Sequence, residues 1–202
     1  GTFIGNIHAV YVRNGKLTVN GGQFSVQQKY SQEQPDEFVL NCYDANYKKG
    51  TAKITVTGGT FENFDPADCE AEGKGTNFVA EGYTVTSEVI SEDTTWHTVV
   101  PLTAENSAAE VNGVYYENLT DAIAAADGGT VTMLENAVAD PSDLSESWMG
   151  KTVTIDLDGN TLEISNTGVS VLVGQVNKDS QEYVTADVTI QNGTVEAYNT
   201  TY

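Results

Sequence analysis

The sequence predicts an all-β chain wound as a parallel β-helix, and three observations carry that expectation. Runs of β-branched and aromatic residues, among them Val10-Tyr11-Val12, Ile54-Thr55-Val56, Val153-Thr154-Ile155 and Val188-Thr189-Ile190, recur along the 202 residues; such side chains suit extended backbone. A six-residue unit recurs with them: aliphatic, polar, two positions of Gly or Asn, small polar, apolar. It reads Val19-Asn20-Gly21-Gly22-Gln23-Phe24 and Val56-Thr57-Gly58-Gly59-Thr60-Phe61, then more loosely Leu157-Asp158-Gly159-Asn160-Thr161-Leu162 and Ile190-Gln191-Asn192-Gly193-Thr194-Val195. Finally, the spacing between apolar ends varies: 21 residues from Phe3 to Phe24, 37 from Phe24 to Phe61, 33 from Leu162 to Val195. A fixed unit with insertions of variable length is how a solenoid is written in sequence, the extra residues looping out.

Each unit pairs two short strands with a Gly/Asn corner, because those residues accept positive φ at little steric cost. A hairpin uses the same dipeptides, so a sandwich or meander is the competing reading. Short flanking strands make poor two-stranded ribbons, and the likeness of the units favours stacked coils. Insertions at 27–37 and 176–182 would then be displayed loops.

Between the repeat-bearing halves, residues 82–89 and 94–100 show period-two character and predict a hairpin that would cover the open end of a first solenoid. Pro101 ends its second strand and 103–107 reads as a linker. Residues 110–116 then predict one strand. A short capping helix over 119–126 follows, the only convincing helix in the chain, with Asn118 as N-cap, Leu119, Ala122, Ile123 and Ala126 on one face, and Gly128-Gly129 as its stop. The predicted organisation is therefore the end of a first parallel β-helix over 1–80, a hairpin cap and linker over 81–107, and a capping helix with the start of a second parallel β-helix over 108–202.

Composition narrows the function. Nine Lys and Arg against 29 Asp and Glu give a formal charge of −20. That balance argues against phosphate-backbone binding, which needs clustered cations, and so against nucleic acid as a partner. It disfavours anionic lipid, and it suits neutral or cationic partners. No apolar run approaches the roughly 20 residues of a membrane span. Any export signal is expected to lie upstream or to have been removed. Two cysteines, Cys42 and Cys69, make neither a disulfide framework nor a zinc site; one Cys42–Cys69 bridge and two unpaired thiols are both compatible with the sequence.

The run Asn118-Leu119-Thr120-Asp121-Ala122-Ile123-Ala124-Ala125-Ala126 with Gly128-Gly129-Thr130-Val131 resembles the capping helix and first strand of pectate-lyase-like β-helix proteins. The Gly-Gly-Thr-Phe unit, Asn63-Phe64-Asp65-Pro66-Ala67-Asp68 and 75–83 are similar to repetitive surface proteins of gut bacteria and their phages. The resemblance implies a right-handed winding, an extracellular location on a bacterial surface or a virion, and adhesion or carbohydrate contact. Its motifs define no reaction.

Catalytic signals are weak. A polysaccharide lyase needs Arg or Lys as base beside calcium-holding carboxylates; the one arginine, Arg13, lies in a turn-like Val12-Arg13-Asn14-Gly15. A glycoside hydrolase needs two carboxylates across a cleft. Asp156 and Asp158 would share a strand face but read better as a solvated pair at a corner. His8 and His97 are isolated, and no serine or cysteine has a base partner in a motif. The expected role is thus a non-catalytic structural and adhesive surface module. Tyr43, Tyr47, Trp96, Tyr115 and Tyr116 are the aromatics able to stack on sugar rings. Asp65, Asp68, Glu70 and Glu72 form an acidic segment that could hold calcium, though without the ligand alternation of an EF-hand loop; no other cofactor is implied. Partners would be a glycan or a surface protein, with flanking segments of a longer chain or a second copy at the ends. The alternatives are a carbohydrate-active β-helix of the phage depolymerase kind and a virion structural protein without ligand.

Overall fold

A computed structural model describes residues 1–28, 38–165, 173, 175–176 and 183–198; most of the insertions at 27–37 and 176–182 lies outside them. The chain is mostly β and divides into two compact units, Gly1–Pro101 and Leu102–Tyr202. Among the described residues no helix is long and apolar enough to cross a membrane.

The first unit holds β1 (Thr2–Gly5), β2 (Val10–Val12), β3 (Gly15–Val26), β4 (Leu40–Cys42), α1 (Asp44–Tyr47), β5 (Ala52–Glu62), β6 (Tyr83–Ser91) and β7 (Thr94–Pro101). Its main sheet runs β1-β3-β5-β7-β6. The three repeat-bearing strands lie parallel, with Phe3 opposite Phe24 and Phe24 opposite Phe61. Strands sit about 4.7–4.9 Å apart, so the rings stack at the strand repeat: Phe3 on Phe24 at 4.8 Å and Phe24 on Phe61 at 5.0 Å. The pairing breaks register around Asn20, where the Gly-Gly corners turn the chain. Glycine is required there. Gly22 and Gly59 sit at φ 118° and 116°, and a Cβ on Gly58 would lie 2.6 Å from the Asn20 carbonyl oxygen.

The hairpin predicted over 82–100 forms as β6 and β7, and β7 lies antiparallel along β5, placing His97 opposite Phe61. Asn63 ties the hairpin down: its Oδ1 accepts from the Thr95 N–H at 2.8 Å and its Nδ2 donates to the Asp93 carbonyl at 2.9 Å. A second, smaller parallel pair joins β2 to β4. Val19, Phe24, Leu40, Ile54, Val56, Phe61, Phe64 and Phe78 form the core beneath these sheets.

The second unit holds β8 (Ala109–Val111), β9 (Val114–Tyr116), α2 (Leu119–Ala125), β10 (Thr130–Met133), β11 (Ala137–Ala139), α3 (Pro141–Trp148), β12 (Thr152–Asp156), β13 (Thr161–Ser165), β14 (Gln175–Val176), β15 (Tyr183–Val184), β16 (Asp187–Gln191) and β17 (Thr194–Tyr198). Two three-strand parallel ladders run through it. In one, β10, β12 and β16 align Val131, Ile155 and Ile190. In the other, β11, β13 and β17 align Ala137, Leu162 and Val195. The Leu162–Val195 match read from the repeat is thus a strand register. Asp158 and Asn192 take the positive φ at the corners, 46° and 59°.

Two expectations are corrected here. Residues 110–116 are not one strand but the β8–β9 hairpin, turning at Asn112 and Gly113 with φ 52° and 83°; Asn-Gly supplies the two positive φ values of the tightest hairpin turn. Nor is there only one helix, since the described residues contain three. The expected one is α2, capped as predicted by Asn118, whose side chain accepts the Asp121 N–H at 2.9 Å. The longest is α3, with Asp140 as N-cap, Pro141 in its first turn, and Leu144 and Trp148 fully buried one turn apart. Its serines, weak helix formers, hid it.

Candidate functional site

In the first unit, the parallel pairing of β2 with β4 sets Tyr11 opposite Asn41 and Val12 opposite Cys42. Alternation sends Leu40 and Cys42 into the core and leaves Asn41 on the other face with Tyr11. The chain then returns through 70–73, closing a cleft of about 560 Å³ lined by His8, Tyr11, Asn41, Asp44, Glu70 and Glu72 among others.

One wall is aromatic. The His8 ring stacks on Tyr11 at 5.5 Å and tilts against Phe38 at 6.3 Å. His8 Nδ1 lies 2.9 Å from the Phe38 carbonyl, which can only accept, so Nδ1 carries the proton. Tyr11 keeps about half its surface open, at 48%.

The other wall is anionic. Glu72 turns inward, and its Oε1 accepts the Cys42 N–H at 2.5 Å. Burial raises the Glu72 pKa, and the Asp44 carboxylate adds to the rise, while hydrogen bonds from Cys42 and the charge of Lys48 oppose it. The Cys42 thiol is pushed up to about 12, first by burial and then by the charge and hydrogen bond of Glu72. Tyr11 is raised by desolvation and by the Asp44 and Glu72 carboxylates. Two acceptors of the lining residues, Asn41 Oδ1 and Glu72 Oε2, are closed off from solvent and receive no hydrogen bond.

The sequence-predicted aromatics do not converge. Tyr43 stands exposed at the N-cap of α1, beside the cleft. Tyr47 packs edge-on against Phe78 at 6.4 Å and serves the core. Trp96 is half-buried on β7, in register between Glu62 and Glu88. Tyr115 and Tyr116 belong to the other unit, where Tyr116 packs on the core.

The acidic segment also disperses. Asp65 caps its own turn through the Ala67 N–H, Asp68 points outward, and only Glu70 and Glu72 reach the cleft. Among the described residues, no three His, Cys, Asp or Glu gather into a group that could hold a metal. Cys42 and Cys69 are two buried, unbridged thiols; burial pushes Cys69 up to about 11, and its Sγ donates to the Thr76 carbonyl.

Ser87, His97 and Asp65 come together unannounced by any motif. Ser87 Oγ lies 2.9 Å from His97 Nδ1, and Asp65 Oδ2 lies 3.9 Å from the same nitrogen. A hydrolytic triad needs acid and nucleophile on opposite ring nitrogens, so this arrangement does not activate Ser87. Asp156 and Asp158 do not make a strand-face pair. Asp156 accepts from Gln191 Nε2, Asn192 Nδ2 and the Asp158 N–H at 3.0, 2.9 and 3.0 Å, while Asp158 sits in the corner itself.

His8, Tyr11, Asn41 and Asp44 went unread as site residues because their neighbourhood depends on a strand pairing across about thirty residues. No local pattern encodes it. Comparison of the chain with models of known protein families, with curated proteins and with solved structures gave no match.

Proposed function

We propose that the chain is a non-catalytic, adhesive module of an extracellular protein, on a bacterial surface or a virion, in which both units are turns of a right-handed parallel β-helix and the first offers a glycan-binding cleft. The observation that carries this reading is the Phe3–Phe24–Phe61 ladder: corresponding positions of successive repeats lie in parallel register although the intervals between them differ by many residues. Stacked coils behave this way, and right-handed crossovers are the rule between parallel strands. The cleft supplies what sugar recognition needs, an aromatic face beside polar acceptors, and its acidity suits neutral or cationic ligands.

A glycan array probed with the chain, repeated with Tyr11→Ala, tests it. Binding that falls at least tenfold in the variant supports the reading; an array without hits, from a correctly folded sample, leaves the ligand-free structural role instead.

One observation favours a second reading, a carbohydrate-active protein. Glu72, whose pKa burial raises, shares one cleft with two further carboxylates, Asp44 and Glu70, and a pair of carboxyl groups in a cleft is the equipment of glycoside hydrolysis. Incubation with a panel of bacterial and plant polysaccharides, with and without calcium, decides it: new reducing ends or unsaturated products that disappear in Glu72→Gln would replace adhesion by catalysis.

A further inference from the structure

The polar atoms that the cleft presents are mostly acceptors. Asp44, Glu70 and Glu72 contribute three carboxylates, and no Lys or Arg is among the described residues that line the cavity. On two of the lining residues, Asn41 Oδ1 and Glu72 Oε2 are buried without a donor, a state that costs free energy. Lys48, the C-cap of α1, lowers the Glu72 pKa through its charge, but it is not part of the lining.

A bare divalent ion is a poor complement. Calcium takes six to eight oxygens at about 2.3–2.6 Å, and these acids do not gather round one point. Tyr11 and His8, stacked ring on ring, also line the cleft. An aromatic face attracts a cation carried on an apolar body as well as the C–H face of a pyranose. What fits both walls is a saturated ring bearing a positively charged group with several N–H donors.

We propose that the cleft takes an amine-bearing glycan, its ammonium group directed at the Glu72 carboxylate beside Asp44 and Glu70 and its ring laid on Tyr11. This rests on the glycan-binding reading above and specifies the sugar. An ammonium has three donors to share among the Glu72 carboxylate and its neighbours. The chain's formal charge of −20 favours its approach.

The test is titration of the full chain, by calorimetry and by NMR, with glucosamine tetramer and with its fully N-acetylated counterpart. Acetylation removes the charge and keeps the ring, so the pair isolates the ammonium. The amine form is expected to bind at least tenfold more tightly and to weaken as salt rises from low to physiological strength. Glu72→Gln, which keeps an acceptor for Cys42, and Tyr11→Ala, at an exposed position, should each weaken it about tenfold. Glu163→Gln, which removes a charge in the other unit, should not.

Equal binding of both tetramers, lost in Tyr11→Ala, overturns the amine while leaving the glycan site standing. Binding of neither overturns both. Attraction that depends on salt but ignores the cleft variants is a property of the net charge and overturns the proposal. So does equally tight binding of lysine tetramer, or calcium binding that produces the same shifts at Glu72.

Discussion

At the scale of single residues, the corners decide how the chain can turn between its parallel strands. Gly58 and Gly21 look equivalent in sequence, yet a Cβ at Gly58 would strike the Asn20 carbonyl at 2.6 Å while one at Gly21 meets nothing within 4 Å. Gly58→Ala should therefore cost about 1–3 kcal/mol and Gly21→Ala no more than about 0.5 kcal/mol, a contrast readable in urea midpoints. The thiols make a second prediction. Nucleophilic attack requires thiolate, and burial pushes Cys42 to about 12 and Cys69 to about 11. The folded protein should resist iodoacetamide at mildly alkaline pH and take up two labels per chain once denatured, counted by mass spectrometry. Asp156 adds a pH dependence. Its hydrogen bonds to Gln191, Asp158 and Asn192 hold its pKa below the ordinary 3.8, so the stabilisation is present above that value and is lost as pH falls through the lowered one. The difference in Tm between the native chain and Asp156→Asn should be seen at neutral pH and close below about pH 4.

At the scale of elements, legibility followed the range of the signal. The repeat units were readable because each is six residues long and announces its own corner, and matching Leu162 with Val195 recovered a true register. The capping of α2 by Asn118 is equally local. Asn112-Gly113 is itself a hairpin signal, but the residues flanking it read as one extended run. Serine-rich α3 shows almost no apolar stripe beyond Leu144 and Trp148, although Asp140-Pro141 marks its start. The β2–β4 pairing, and with it the cleft, has no local signature at all. Within the ladder the middle ring should matter most. Phe24 is 3% exposed and stacked on both faces, whereas Phe3 is 47% exposed and stacked on one. Phe24→Ala is expected to cost about 3–5 kcal/mol and Phe3→Ala about 1–2 kcal/mol, measured by denaturant unfolding.

At the scale of the molecule, the two units carry separate cores and, conveniently, one tryptophan each: Trp96 in the first and the fully buried Trp148 in the second. Compact units tend to unfold as units. Leu144→Ala, next to Trp148 in the second core, should lose about 2–5 kcal/mol and bring forward the Trp148 fluorescence transition. Followed in a Trp148→Phe background, the Trp96 transition should stay where it was. A common shift of both would show the units to be energetically one.

The interrupted pairing of β3 with β5 has an engineering consequence. Because β3 and β5 realign after their glycine corner, the amount of chain spent between one parallel strand and the next is nearly a free variable, and closing a longer excursion costs only logarithmically more. Foreign peptide spliced into such an excursion should leave the phenylalanine stack undisturbed, which makes this scaffold a natural host for grafted epitopes.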